Sequence, residues 1–247
     1  MNKIYLIILI ILSFTSLAIA GPPFDTDDPE PVEFQHWEIY VSSHSVHDAG
    51  GWSGTAPHME VNYGVIPELQ LHVIAPLAFN SPSDGKSTYG ISDAELGFKY
   101  RFVKETSSSP QIGIFPLVEL PTGSQSRGLG NGNTQVFLPV WIQKSFGEWT
   151  SYGGTGYWIN PGSGNKNWWF TGLQIQRKFS DNLNIGAEIY HTTAKTQDDP
   201  PETRFNLGLI FDANEHHHIL FSAGRSIKGS TFLQGYIGYQ FTFGPKG

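Results

Sequence analysis

From residue 34 onward, apolar and polar side chains alternate at period two, in twelve runs with almost no helical periodicity between them. Successive side chains of a strand point to opposite faces, so each run prescribes a strand with one apolar and one polar face. Segment 89–102 sets Ala94, Leu96, Phe98, Tyr100 and Phe102 against Asp93, Glu95, Lys99 and Arg101. Segment 203–211 sets Phe205, Leu207, Leu209 and Phe211 against Arg204, Asn206 and Gly208. The other strands are expected near 34–45, 56–64, 68–79, 110–120, 133–146, 149–158, 167–179, 183–192, 217–226 and 231–243. Such a set has two solutions: a soluble sandwich with the apolar face inside, or a membrane barrel with it outside.

Loop lengths and strand ends separate the two. Links after even-numbered strands are compact (65–67, 104–109, 147–148, 180–182, 212–216). Most links after odd-numbered strands are longer and rich in Gly, Ser, Asn, Pro and Asp (46–55, 80–88, 122–132, 160–166, 193–202), although 227–230 is shorter than this pattern predicts. Tyr63, Phe102, Phe146, Phe179, Phe211 and Phe243 close the even-numbered strands, each on the apolar face. An aromatic at one height on every second strand makes a membrane-interface girdle, which a sandwich core has no reason to repeat. The expected fold is therefore all-β, an antiparallel transmembrane β-barrel of about 12 strands with both termini on the short-turn, periplasmic side.

The beginning of the chain fits export to such a membrane. Asn2-Lys3, the apolar run Ile4–Phe14 and the small-residue site Ala18-Ile19-Ala20 read as a signal peptide over 1–20, too short for a membrane span. Residues 21–33 hold four prolines and five acids, an extended periplasmic arm ahead of the barrel at 34–247. The chain has no cysteine, which excludes a disulfide-stapled scaffold, a cysteine-ligated zinc site and a lipoprotein anchored through an N-terminal cysteine. With 15 Lys+Arg against 22 Asp+Glu and no basic cluster, nucleic acid is not an expected partner.

Four segments carry a resemblance to a known family: 21–31 (Gly-Pro-Pro-Phe-Asp-Thr-Asp-Asp-Pro-Glu-Pro), 57–64 (Pro-His-Met-Glu-Val-Asn-Tyr-Gly), 69–73 (Leu-Gln-Leu-His-Val) and 128–132 (Gly-Leu-Gly-Asn-Gly). Across essentially the whole chain after residue 20, the sequence resembles bacterial outer-membrane β-barrel proteins assigned to transport in the phenol meta-degradation pathway. Some members of that family bear the label neuromedin U. The resemblance implies a Gram-negative outer-membrane channel and brings no agreed functional residues with it.

The polar face supplies the lumen-lining candidates: Glu38, Glu60, Asp93, Glu95, Glu119 and Glu188 with Lys99, Arg101, Lys178 and Arg204. They either line a water-filled path that screens solutes or fill a narrow barrel as paired charges. Glu95 and Lys99, four residues apart, stand about 13 Å apart along a strand, so partners are sought elsewhere, Glu119 being a natural one. His44, His47 and Asp48, the run His216-His217-His218, and Asp25, Asp27 and Asp28 read as solvated groups in preference to metal ligands. No metal or cofactor is expected. The run 128–132 lacks the following helix a phosphate loop needs. Trp141, Trp149, Trp158, Trp168 and Trp169 read as interfacial anchors, with stacking on sugar or aromatic rings as the alternative.

The expected function is passive or facilitated diffusion of small solutes, hydrophobic or aromatic ones included, with outer-membrane lipid and a small-molecule solute as partners. The competing classes are a lipase-like barrel enzyme, for which His191 beside Thr192 and Thr193 is the only starting point, and a surface adhesin. An enzyme is not expected. On the strand faces so assigned, Leu207→Arg is expected to be far more damaging than the lumen-facing Asn206→Arg.

Overall fold

All twelve alternating runs form strands, two of them broken, in a computed structural model that describes residues 21–245. They are β1 (Trp37–Asp48), β2 (Gly51–Ile66), β3 (Leu69–Pro82), β4 in two pieces (Thr88–Ile91 and Ala94–Val103), β5 in two pieces (Gln111–Ile114 and Leu117–Leu120) and β6 (Gln135–Phe146). The remainder are β7 (Trp149–Ile159), β8 (Trp168–Ser180), β9 (Leu183–Thr192), β10 (Glu202–Asp212), β11 (His217–Lys228) and β12 (Leu233–Phe243). Each strand pairs antiparallel with its sequence neighbours, and β12 pairs with β1 from Trp37–Phe243 to His47–Leu233, closing the sheet. Closure leaves no sheet edge, the condition for strands to cross a bilayer. The signal-peptide reading falls on residues 1–20, outside the described residues.

The two breaks have local causes. In β4, Ser92-Asp93 leaves the ladder, and the Asp93 carboxylate accepts backbone N–H groups of Gly123 and Asn131 (2.8 and 2.5 Å). In β5 the break is Phe115-Pro116, where proline has no N–H to donate.

Burial is inverted relative to a soluble protein. Leu207 and Leu173 are 60% and 57% exposed on the outside, while Gln174 and Gln240 are wholly buried within. Such an apolar exterior is an aggregation surface in water and a matched one in lipid, which decides for the barrel against the sandwich.

The loop pattern differs from expectation at two places: 80–88 shortens to the link 83–87, because β3 runs to Pro82 and β4 begins at Thr88, and 46–55 changes more. Segment 46–55 is not a long loop: only Ala49-Gly50 separates β1 from β2, and β2 is 16 residues long. A strand needs about 9–11 residues to cross a bilayer, so this hairpin continues beyond the apolar band. Above that band neither face meets lipid, the alternation lapses, and the sequence reads as loop although the pairing goes on. The long links of the described chain are 121–134, 160–167 and 193–201.

Candidate functional site

The arm of residues 21–33 lies inside the barrel. Its prolines keep it extended, so its backbone and acids must be satisfied by the lumen wall. The N–H groups of Asp25 and Thr26 both donate to the Glu188 carboxylate (2.9 and 2.8 Å). Asn206 and Gln234 donate side-chain N–H to Asp25 (3.0 and 3.1 Å). Lys99 reaches Asp27 (2.9 Å) and Asp28 (3.4 Å). Arg101, Gln111 and Gln143 donate to Glu30 (3.3, 3.1 and 3.3 Å), and Val32 N–H donates to Gln70 (2.9 Å). The arm thus runs from the β9–β12 wall across to β3–β6.

Three glycines seat its Phe24–Thr26 end. A Cβ on Gly186 or Gly208 would stand 2.9 or 2.8 Å from the Phe24 ring, and one on Gly172 would stand 2.2 Å from Thr26 Oγ1. Missing side chains on neighbouring strands β8, β9 and β10 therefore make the groove into which the arm fits.

The ten lumen candidates divide by what they touch. Glu188, Lys99 and Arg101 hold the arm. Arg101 also donates to Glu68 in the turn after β2 (2.6 Å). Partial burial alone would raise the Glu68 carboxyl, but hydrogen bonds from Arg101 and Lys104 outweigh it and hold the group below its ordinary range. Glu119 is not the partner of these cations: it stands opposite Glu95 in the ladder, acid beside acid, and accepts from Asn131. Glu95 bonds His72 (3.0 Å), His72 bonds Asn62 (2.7 Å), and Asn62 donates to Glu60 (2.8 Å), a buried chain along the wall. Glu38 accepts from Tyr40 (2.9 Å). Arg204 pairs with Glu202 and donates to Gln234 (3.0 Å), while Lys178 pairs with Asp181 at the rim (3.3 Å). Asp93 ties down segment 121–134.

The six end aromatics share one rim. Tyr63, Phe102, Phe146, Phe179, Phe211 and Phe243 lie at the same end of the barrel on its outer face, and Trp37 stacks on Tyr63 (4.3 Å between centroids).

The tryptophans do not all face outward as expected. Trp149 and Trp169 are outside, 43% and 50% exposed. Trp141, Trp158 and Trp168 instead face the lumen with Phe115, Phe137, Phe170 and Tyr190, an aromatic wall from β5 to β9 that begins at the level of the arm, where Trp141 pairs with Gly113, and extends away from the end girdle to Trp158 and Trp168. Trp158 stacks on Trp168 (5.4 Å) and on Phe137 (4.7 Å), Phe170 on Tyr190 (5.4 Å), and Lys195 Nζ sits 4.3 Å from the Trp168 ring. Sequence parity carries the signal for this wall. Trp168 and Phe170 alternate in step with Gln174 and Gln176, and Phe137 and Trp141 with Gln135 and Gln143.

The arm divides the free space. Towards the end girdle a cavity of about 630 Å³ is lined by Glu38, Tyr40, Glu60, Lys99, Phe115 and His218 among others. On the other side a pocket of about 150 Å³ lies beside Phe24, His44, His58 and Tyr236. Among the described residues no three His, Asp or Glu are placed to hold a metal. His47 stacks on Trp52 (4.6 Å), and His218 bonds Asp212 (2.7 Å).

This architecture is that of outer-membrane β-barrels. An outer-membrane channel from Pseudomonas putida F1 superposes with a TM-score of 0.68 at 17% identity, covering 90% of this chain and 100% of that one. The KdgM porin gives 0.60 at 10% identity (83% and 99% covered), and the NanC porin 0.54 at 6% (84% and 100% covered). No family model and no curated protein matches the sequence. These neighbours are a channel and porins. The ring of His191, the starting point for a lipase, bonds only Thr203 (2.9 Å) among the described residues, and no carboxylate orients it.

Proposed function

We propose that the protein is an outer-membrane channel for small hydrophobic or aromatic solutes, which pass the aromatic wall and then the acidic arm. The aromatic wall carries this reading. Lipid-facing tryptophans anchor a barrel, whereas stacked rings turned into a polar lumen offer an apolar track to a passing ring. Lys195 and Arg204 beside that track favour a solute with an anionic substituent. The likeness of segments 21–31, 57–64, 69–73 and 128–132 to transport proteins of phenol breakdown supports the same solute class. In this reading residues 1–20 direct export, the end girdle marks the periplasmic interface, and the mixed-charge wall screens what reaches the arm.

Solute uptake by liposomes tests it. Purified protein is expected to admit an aromatic carboxylate faster than an aliphatic carboxylate of equal carbon number. Trp158→Ala with Trp168→Ala should reduce only the aromatic flux, by about 2- to 10-fold, as stacking worth roughly 0.5–1.5 kcal/mol implies. Equal loss for both solutes would remove the wall from the permeation path.

A second expected outcome concerns charge. Lys99→Glu with Arg101→Glu places acids against Asp27, Asp28 and Glu30, so the reversal potential across a salt gradient should shift towards cation selectivity, most at low salt. An unchanged potential in a conducting variant would place both residues off the ion path.

A further inference from the structure

On β11 the outward row is Ile219, Phe221, Ala223, Arg225 and Ile227, a lipid-facing run with one guanidinium in it. Arg225 stands opposite Phe205 of β10. Among the described residues it makes no hydrogen bond, ion pair or ring contact. The other outward arginine, Arg177 near the end girdle, is covered by Trp149 and Phe179, with its guanidinium carbon 5.5 and 5.1 Å from their ring centroids.

The register sets the height of Arg225. Ile219 pairs with Phe211 of the girdle, and Arg225 is six residues further along β11. At about 3.3 Å per residue and a tilt near 40° this is roughly 15 Å above the girdle, within an apolar band about 25 Å tall. From there an arginine extends its head towards the nearer, outer headgroup layer. The outward rows of β9 to β12 hold no carboxylate; His191 lies above Arg225 on the outer side, and a register shift between Thr203 and Arg204 sets Lys228 opposite Thr203, the partner of His191, on that side too. Five N–H donors in a fixed fork, beside apolar Phe205 and Ile227, match a phosphate carried on acyl chains.

We propose that Arg225, with Lys228 and His191, binds the phosphate of a phosphorylated glycolipid in the outer leaflet. The site rests on the orientation of the barrel in the proposed function and not on its solute. Native mass spectrometry of the purified barrel with bisphosphorylated lipid A, its dephosphorylated form and phosphatidylglycerol tests it. Bisphosphorylated lipid A should be retained at least about tenfold more than the dephosphorylated form, as one charge-assisted bidentate contact allows, and more than phosphatidylglycerol. Arg225→Ala should abolish that preference, and Arg225→Lys should keep part of it. Arg177→Ala should leave it untouched. Loss with Arg177→Ala and not with Arg225→Ala would invert the orientation and overturn the functional reading of the two rims as well. Equal retention of the two lipid A forms by the wild type, or an undiminished preference in Arg225→Ala, would overturn the site alone.

Discussion

Deleting residues 21–31 is expected to raise single-channel conductance severalfold in planar bilayers and to leave the heat-modifiable migration of the barrel on gels unchanged. The arm lies across the lumen from Glu188 to Lys99, and Thr26 and Asp28 within it have no exposed surface, so its removal opens the cross-section it fills. The barrel itself is closed by ladder hydrogen bonds and by its apolar exterior, neither of which involves the arm. Deletion also leaves the Lys99 ammonium without its two acids and the Glu188 carboxylate with Asn206 alone, but in an open lumen both meet water, which limits the cost. Glu188→Leu tests the anchor separately. It removes the acceptor of two backbone N–H groups, so the arm should detach intermittently and the current should flicker between a low and a high level. Unchanged conductance on deletion would mean that ions bypass the arm, and the lumen reading would fail with it.

Leu207→Arg is expected to destabilise the barrel by about 2–4 kcal/mol in a urea titration, because it buries a charge in hydrocarbon near the bilayer midplane. Leu207 lies four residues above the girdle residue Phe211, roughly 10 Å in height, and faces outward. The neighbouring Asn206→Arg is not the mild change that its lumen-facing position suggests. Asn206 is 1% exposed, donates to Asp25 and Glu188 and accepts from Gln234, so a longer cation there collides with the docked arm. The two costs have different origins, which a cycle with the arm deletion separates. Asn206→Arg should lose most of its penalty once residues 21–31 are gone, whereas Leu207→Arg should keep all of it. A penalty for Leu207→Arg that also vanished would place that residue against the arm and not in lipid.

The strands, their faces and the closed barrel were legible in the amino-acid sequence. Which face a side chain takes follows from its parity within one strand, as Leu207 outside and Asn206 inside show. That the end aromatics share one height was legible for the same reason, since Phe102 or Phe179 needs only the end of its own strand to be placed. What lies within the barrel was not readable in this way. Lys99 and Arg101 take their partners from the arm and a turn instead of Glu119, and Asp25 meets Gln234 across 209 residues of chain. Three tryptophans read as membrane anchors turned out to wall the lumen, although their parity with buried glutamines pointed inward. The apparent loop at 46–55 is paired strand, because above the bilayer no lipid enforces an alternation. A period of two is a property of a single strand, so the sequence by itself determined the barrel and its two faces. The seat of the arm, made by Gly172, Gly186 and Gly208, needs three strands in register around one lumen, and only their closure in the tertiary structure decided it.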